Sequence, residues 1–534
     1  WRLEPKPKDL EKYKRGELVE PAKPIVFYID PLTPKKWIPY LIQGVNDWQK
    51  AFEKAGFKNA IYAKVPNPKD DPEWSLEDAR FSAVVYKPSD VPNASGPSIA
   101  DPRTGEILES HINWYHNVMK LLNDWYFVQA SPNDPKARKA DFDDELMGQL
   151  IRFVSSHEVG HTLGLRHNYG SSSTVPVENL RNNSWLKANG HTPSIMDYAR
   201  FNYVAQPEDK INVDNLMPRI GDYDDWAIEW GYRRFYNYNS PEKEKTFINK
   251  WTIEKLQNPR LWFGTESNPF DPRSQSEQVG DNPMIAGKYG VKNLQRVIDN
   301  LEAWSTKPNE DYSVLADRYN QVSGQFSRYL GHVAKYIGGV METPKTVEQK
   351  GAVYELVSKT EQKEALKFLN DYAFTTPNWI LKKDVLNKIN RTPVDVVSNL
   401  QNGVLNRILM NGVLENLNKG ESIDINAYSL FDYLQDLKST IFSELKTSSK
   451  IDIYRRNLQR SFVDNLLSKT DSATSASIIR MGSSDNSDVK ALVRGTLRDI
   501  RNEASKAASQ YSDSVTKYHL EDLVYRIDKA LEVK

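Results

Sequence analysis

Apolar positions fall along this chain in two textures. Up to about residue 290, short runs of β-branched and aromatic residues alternate with helical stripes. Beyond it, only helical stripes recur. Residues 24–30 form a compact apolar run and predict a buried strand. Leu41, Val45, Trp48, Phe52 and Ala55 then share one helical face, with Gly56 as the stop. Residues 60–65 and 80–86 predict two more strands. Strands separated by a helix imply largely parallel pairing. Residues 97–101 and 106–115 flank the turn-like segment 101–105 and predict a hairpin. A helix follows over about 114–128, then a polar stretch over 131–142, then a helix starting near Asp143. Residues 168–193 are Ser- and Asn-rich and read as a connection that walls a cleft. A helix begins in 221–232. Residues 240–290, rich in Pro, Asn, Asp and Gly, read as irregular.

In the second half, Leu294, Val297, Ile298 and Leu301 share a face. So do Leu315, Tyr319, Val322, Phe326, Leu330, Val333 and Ile337. These stripes read as core. Residues 468–488, rich in Ser, Asp and Asn, predict a flexible loop. A chain of 534 residues is too long for one core. The expected division is an extended lead-in over 1–22, a mixed domain over 23–240, an irregular connection over 241–290 and a helical domain over 291–534. The fold class is α+β.

The chemistry is concentrated in His157-Glu158-Val159-Gly160-His161-Thr162-Leu163-Gly164-Leu165-Arg166-His167. On a helix, His157 and His161 lie on one face, where both imidazoles reach one metal ion. Glu158 lies beside them, within reach of a water on that metal. Gly164 lets the backbone leave the helix sharply, and His167 can swing back as a third ligand. Three neutral imidazoles and one open position describe a catalytic zinc site rather than a structural one. In that reading zinc acidifies a water toward a pKa of ~7, and Glu158 takes its proton as it attacks a peptide carbonyl.

A second segment, Ser194-Ile195-Met196-Asp197-Tyr198, places a methionine 29 residues beyond His167. On both motifs the chain resembles the metzincin clan of zinc peptidases. It looks in particular like large metzincin-like proteins of Gram-negative bacteria, a likeness that also rests on the segment 221–232. The resemblance implies a twisted mixed sheet with an active-site helix over 23–240. It also implies Met196 as an apolar floor under the zinc ligands, and Tyr198 as a residue that can ligate zinc and then stabilise the tetrahedral intermediate. Residues 97–101 would be the antiparallel edge strand to which a peptide substrate adds. Asn168, after the third histidine, departs from the residues found there in the best-known branches.

Composition narrows the reading. Basic and acidic residues balance at 71 each, so no overall field favours nucleic acid or an anionic membrane. No apolar run reaches the ~20 residues needed to span a bilayer. The chain contains no cysteine, which excludes disulfides and thiolate metal sites. It begins at Trp1, as a processed or truncated form would. The absence of cysteine, together with the resemblance, leads to the expectation of a protein outside the cytoplasm: periplasmic, secreted or surface-bound. Of the eight histidines, His111 and His116 offer a less favoured second zinc or a calcium. Asp141, Asp143, Asp144 and Glu145 fit better as N-terminal caps of the zinc helix than as calcium ligands. His191 reads as a loop residue near the methionine turn, and His332 and His519 as packing or surface residues. The expected function is a zinc-dependent endopeptidase acting on protein or peptide substrates. The alternatives are a non-catalytic exported binding protein that keeps the fold, and a zinc hydrolase of non-peptide amides.

Overall fold

A computed structural model describes residues 1–265, 268–470 and 487–531. The expected loop over 468–488 lies mostly outside these residues. The chain divides into two compact units, residues 1–267 with 273–310, and residues 268–272 with 311–534.

The first unit is built on a five-stranded sheet. Its strands are β1 (Ile25–Ile29), β2 (Ile61–Lys64), β3 (Ser82–Lys87), β4 (Ala94–Ser95) and, after a hairpin of β5 (Ile99–Ala100) and β6 (Ile107–Glu109), β7 (His111–Tyr115). The sheet order is β2-β1-β3-β7-β4. The first four run parallel and only β4 is antiparallel, pairing Ala94 with Trp114. The antiparallel edge is therefore 94–95, not the expected 97–101. Residues 99–100 instead pair with 107–109, which satisfies their backbone within the hairpin.

Among the described residues, nine α-helices accompany the sheet: α1 (Leu10–Lys14), α2 (Ile38–Asn46), α3 (Gln49–Lys54), α4 (Val118–Ala130), α5 (Asp144–Thr162), α6 (Asn183–Asn189), α7 (Asp222–Tyr232), α8 (Pro241–Lys255) and α9 (Pro283–Ser305). Three differ from the sequence reading. The lead-in 1–22 is not extended. It carries α1 and buries Leu3, Tyr13 and Val19, with the Tyr13 hydroxyl donating to the Ala55 carbonyl at 2.7 Å. Within 241–290, α8 forms behind a Ser240 cap with Pro241 at its first turn, a start signal outweighed in the sequence by the polar residues after it. Finally, α9 starts at Pro283 and belongs to the first unit. Asn293 on its buried face donates to the Tyr203 and Ala205 carbonyls at 2.9 and 2.8 Å, so a boundary at 291 would cut a helix.

Among the described residues, the second unit is helical apart from a hairpin of β8 (Val340–Glu342) and β9 (Tyr354–Leu356). Its α-helices among the described residues are α10 (Ser313–Ala334), α11 (Lys359–Leu369), α12 (Lys383–Lys388), α13 (Pro393–Ile408), α14 (Asn411–Ile423), α15 (Leu430–Ile441), α16 (Glu444–Thr447), α17 (Ile453–Leu467), α18 (Val489–Ala508) and α19 (Ser514–Ala530). The stripe from Leu315 to Ile337 is buried throughout, as its spacing predicts. No helix among the described residues is long and apolar enough to cross a membrane.

The helix α5 is the rigid element of the first unit. It starts at the Asp143 cap, which accepts from the Leu146 amide at 2.9 Å, and acids in its first turn complement the helix dipole. It lies close against α2, because a glycine and two serines meet at the crossing. Ser155 Oγ donates to the Leu41 carbonyl at 3.1 Å and Ser156 Oγ to the Gly44 carbonyl at 3.0 Å. Trp48, fully buried, donates its indole N–H to the Ser156 carbonyl at 2.9 Å. A Cβ on Gly44 would lie 2.5 Å from Ser155 Cβ and 2.8 Å from the Arg152 carbonyl oxygen. Gly44→Ala should therefore push the two helices apart and cost about 1–3 kcal/mol. Urea unfolding should show this as a lower midpoint at unchanged slope, and a parent-like midpoint would mean that the crossing has slack.

Candidate metal centre

The end of α5 and the chain that follows it bring three imidazoles together. His157 and His161 project from one face of the helix. Gly164 takes φ +90°, the helix stops, and His167 returns over it. His167 Nε2 lies 3.2 Å from both His157 Nε2 and His161 Nε2. Nitrogens that ligate one tetrahedral zinc at about 2.0–2.1 Å stand about 3.3 Å apart, so the spacing fits. The outer nitrogens fix the tautomers. His157 Nδ1 donates to the Ile195 carbonyl at 2.9 Å and His161 Nδ1 to the Leu165 carbonyl at 3.0 Å. A carbonyl only accepts, so each Nδ1 carries the proton and each Nε2 presents a bare lone pair. Burial, followed by the neighbouring His161, holds the His157 imidazole well below the usual histidine range, in the neutral form a cation needs.

Among the described residues, this is the one group of three or more such donors that converges closely enough to hold a metal ion. The acids expected as caps behave as caps and surface ion pairs. Asp143 caps α5, Asp144 pairs with Lys36, Glu145 with Lys136 and Asp141 with Lys307. His111 Nε2 lies 3.2 Å from Glu109, and His116 Nδ1 lies 2.5 Å from the Tyr86 hydroxyl. Neither gathers a cluster that could hold calcium or a second zinc.

Glu158 is buried beside the triad. Burial pushes its carboxyl up to about 7, against a hydrogen bond from the Gly96 amide, which lowers it. That bond depends on a close approach. A Cβ at residue 96 would lie 2.3 Å from the Glu158 carbonyl oxygen, so only glycine lets the chain after β4 touch the helix here. Next to His157, Glu158 and Tyr198 lies a small pocket with apolar walls from Val118, Leu121, Trp125, Phe153 and Val154.

The methionine turn passes beneath. Met196 is fully buried, and its Sδ would lie 2.3 Å from a Cβ on Gly160, so the two ligand-bearing turns of α5 rest on it. Asp224, at the start of α7, ties this turn down. It accepts from Ser194 Oγ at 2.6 Å, from the Ile195 amide at 2.8 Å and from the Gly221 amide at 2.9 Å. Ile195 is also the residue whose carbonyl holds His157. Asp197, fully buried, accepts from Thr192 Oγ1 at 2.5 Å. Burial raises both Asp197 and Asp224 to about 7 in spite of these donors.

Beyond the turn, Tyr198 and Arg200 take the left-handed conformation at φ 63° and 58°. Glu277, itself at φ 64°, holds them: its amide donates to the Tyr198 carbonyl at 3.1 Å and its carboxylate pairs with Arg200 at 2.8 Å. Gln129 donates to the same carboxylate at 3.0 Å, and His191 Nε2 donates to the Arg200 carbonyl at 2.9 Å. The Arg200 guanidinium also lies over the Trp125 ring, 3.2 Å from its centroid. The Tyr198 ring is thereby set 5.6 Å from His157 and 5.0 Å from His167, centroid to centroid.

All six residues singled out in the sequence, His157, Glu158, His161, His167, Met196 and Tyr198, thus lie together. The residues missed were Gly96, Asp224, Arg200 and Glu277. Asp224 had a signal, an acid three residues after a glycine at a helix start. Glu277 had none, because its role depends on a chain crossing some 80 residues downstream of Tyr198.

The fold and the triad define a helix-borne three-histidine metal centre with a buried acid beside it. A family model described as Met-zincin matches residues 139–449, more than half of the chain, and the protein belongs to the Met-zincin family. The family implies zinc binding and a zinc-metalloprotease-like fold. No curated protein and no solved structure matches the chain.

Asp224→Ala should leave three buried donors around the methionine turn without their acceptor. A loss on the order of 3 kcal/mol is expected, since each unsatisfied buried group costs about 1–3 kcal/mol. Thermal unfolding of the variant checks this, and an unchanged midpoint would show that the turn is held by packing alone.

Proposed function

We propose that the protein is a zinc-dependent endopeptidase. The observation that supports this best is the convergence of three Nε2 lone pairs with the Glu158 carboxylate buried beside them. His157, His161 and His167 would hold the zinc. When bound, zinc supplies Lewis acidity, which acidifies a water and polarises the scissile carbonyl. Glu158 takes the proton of the attacking water and passes it to the leaving amine. The Gly96 amide keeps the carboxylate turned toward the site. Tyr198 donates its hydroxyl proton to the developing oxyanion. The apolar pocket beside Tyr198 would take a substrate side chain, and β4 at the sheet edge would pair with an extended peptide. We place this chemistry in the first unit, on a polypeptide working outside the cytoplasm of a Gram-negative bacterium. The absence of cysteine and the resemblance of its motifs support that setting.

Glu158→Gln should retain zinc and lose proteolysis of a casein-like substrate by about 10²–10⁴-fold, since an amide cannot accept the proton. His167→Ala should lose zinc on dialysis, read by elemental analysis. Parent-like turnover in the Gln variant would remove Glu158 from the role of base. Zinc binding by the parent without any hydrolysis would favour a binding protein instead.

Tyr198→Phe should lower kcat more than it changes KM, because the oxyanion exists only after the carbonyl is attacked. The ring and its contacts with Trp125 and Arg200 remain, so stability should hold. Equal kcat in the two proteins would assign Tyr198 to packing.

A further inference from the structure

Each ligating histidine needs a partner on its outer nitrogen to aim the inner one, and such partners tune metal affinity. Two of the three partners here are main-chain carbonyls, Ile195 for His157 and Leu165 for His161. The third is a side chain: the Tyr169 hydroxyl lies 3.1 Å from His167 Nδ1. His167 is also the ligand with no helix beneath it, because α5 has ended. Its ring meets that of His157 edge to edge, with the two Nε2 atoms 3.2 Å apart, and lies 5.0 Å from the Tyr169 ring at a tilt of 34°.

The chain around Tyr169 is fixed on both sides. Asn168, fully buried, donates its amide to the Met196 carbonyl at 2.9 Å and its Nδ2 to the Trp262 carbonyl at 2.9 Å, and its Oδ1 accepts from the Gly264 amide at 2.8 Å. After it, the Gly170 amide donates to the Gly264 carbonyl at 3.2 Å, and a Cβ there would lie 2.3 Å from the Trp262 ring. The Tyr169 carbonyl itself accepts from the Gln275 amide at 3.3 Å. The departure at Asn168 thus has a structural purpose: it joins the third ligand, the methionine turn and the 262–264 segment, and it presents Tyr169 to His167.

We propose that Tyr169 is the positioning residue of the third zinc ligand: its hydroxyl accepts from His167 Nδ1–H and its ring holds the imidazole plane, so that Nε2 stays aimed at the metal. The proposal rests on the three-histidine zinc reading. A phenol oxygen can accept this bond while it keeps its own proton, and a phenylalanine ring in its place keeps the stacking and loses only the acceptor.

The test compares the parent with Y169F in the full chain. Zinc affinity is read by competition with a chromophoric chelator, and ligand geometry by the visible absorption of the cobalt(II)-loaded proteins. Y169F should bind zinc at least tenfold more weakly, within the 10–100-fold range for loss of such a partner, and its cobalt bands should shift. Affinity within threefold of the parent with an unchanged cobalt spectrum overturns the proposal. A parent that binds neither metal overturns the zinc reading and this inference with it, whereas a parent that binds with an indifferent Y169F overturns this inference alone. A second readout needs no variant. In the cobalt-loaded parent, the His167 Nδ1 proton should be hyperfine-shifted and protected from solvent exchange. Exchange as fast as that of a free imidazole would overturn the proposal even if Y169F failed to fold.

Discussion

Three imidazole lone pairs aimed at one point repel one another, and most of the first unit can be understood as what holds them there. The two carbonyls that fix the Nδ1 protons of His157 and His161 close one escape for those two rings, a tautomer change that would put a proton between them. In the proposed reading, a divalent cation at that point would turn the repulsion into three bonds. The restraint comes from below, through Met196 against Gly160, and from behind, through α2 against the Ser155 and Ser156 turn. Close packing matters here because a ring that can tilt by a few tenths of an ångström relieves the repulsion without any metal.

The loops around the site are held by carboxylates rather than by regular structure. Asp224 gathers the start of the methionine turn and Glu277 gathers its exit. Each is buried and each is surrounded by donors, which is the condition under which a buried polar group is tolerated. The left-handed backbone at Tyr198, Arg200 and Glu277 is a cost of about 1 kcal/mol or more at each non-glycine residue, sustained because these contacts over-determine it. Strain in one short stretch, directly beside the metal centre, sets a tyrosine ring at a height and angle that a relaxed chain would not adopt.

The sequence made the site legible because its chemistry is local. His157, Glu158 and His161 are neighbours on one helix, and Gly164 announces the turn that returns His167. The parallel strands were equally readable, from short apolar runs separated by a helix, and so was the long stripe of α10, from its helical period. What escaped depended on distance along the chain. The edge strand was placed at 97–101 because the turn at 101–105 was visible, while the contact that defines the edge, Gly96 against Glu158, joins residues far apart in sequence. Helix α9 was assigned to the helical half on texture, yet Asn293 ties it to the first unit through two carbonyls. Tyr169 was passed over because one aromatic beside a ligand has no pattern of its own. Its meaning comes from Asn168 and Gly170, whose partners lie near residue 264.

One residue couples Glu158, the proposed general base, to the edge of the sheet. Gly96 follows β4 directly, and β4 is the outermost strand of the five. The amide that hydrogen-bonds the Glu158 carboxylate therefore belongs to the same stretch of chain that, in the proposed function, pairs with an extended peptide. In the reading given above, a peptide that pulled the edge outward would loosen the base, and one that seated on it would hold the base in place. A side chain at residue 96 would break this link first, because the main chain of α5 leaves no room for a Cβ. The absence of a side chain at one edge position is thus a requirement of the contact that holds Glu158, and in the proposed mechanism it is as binding as the identity of the histidines, although nothing in the glycine itself reacts.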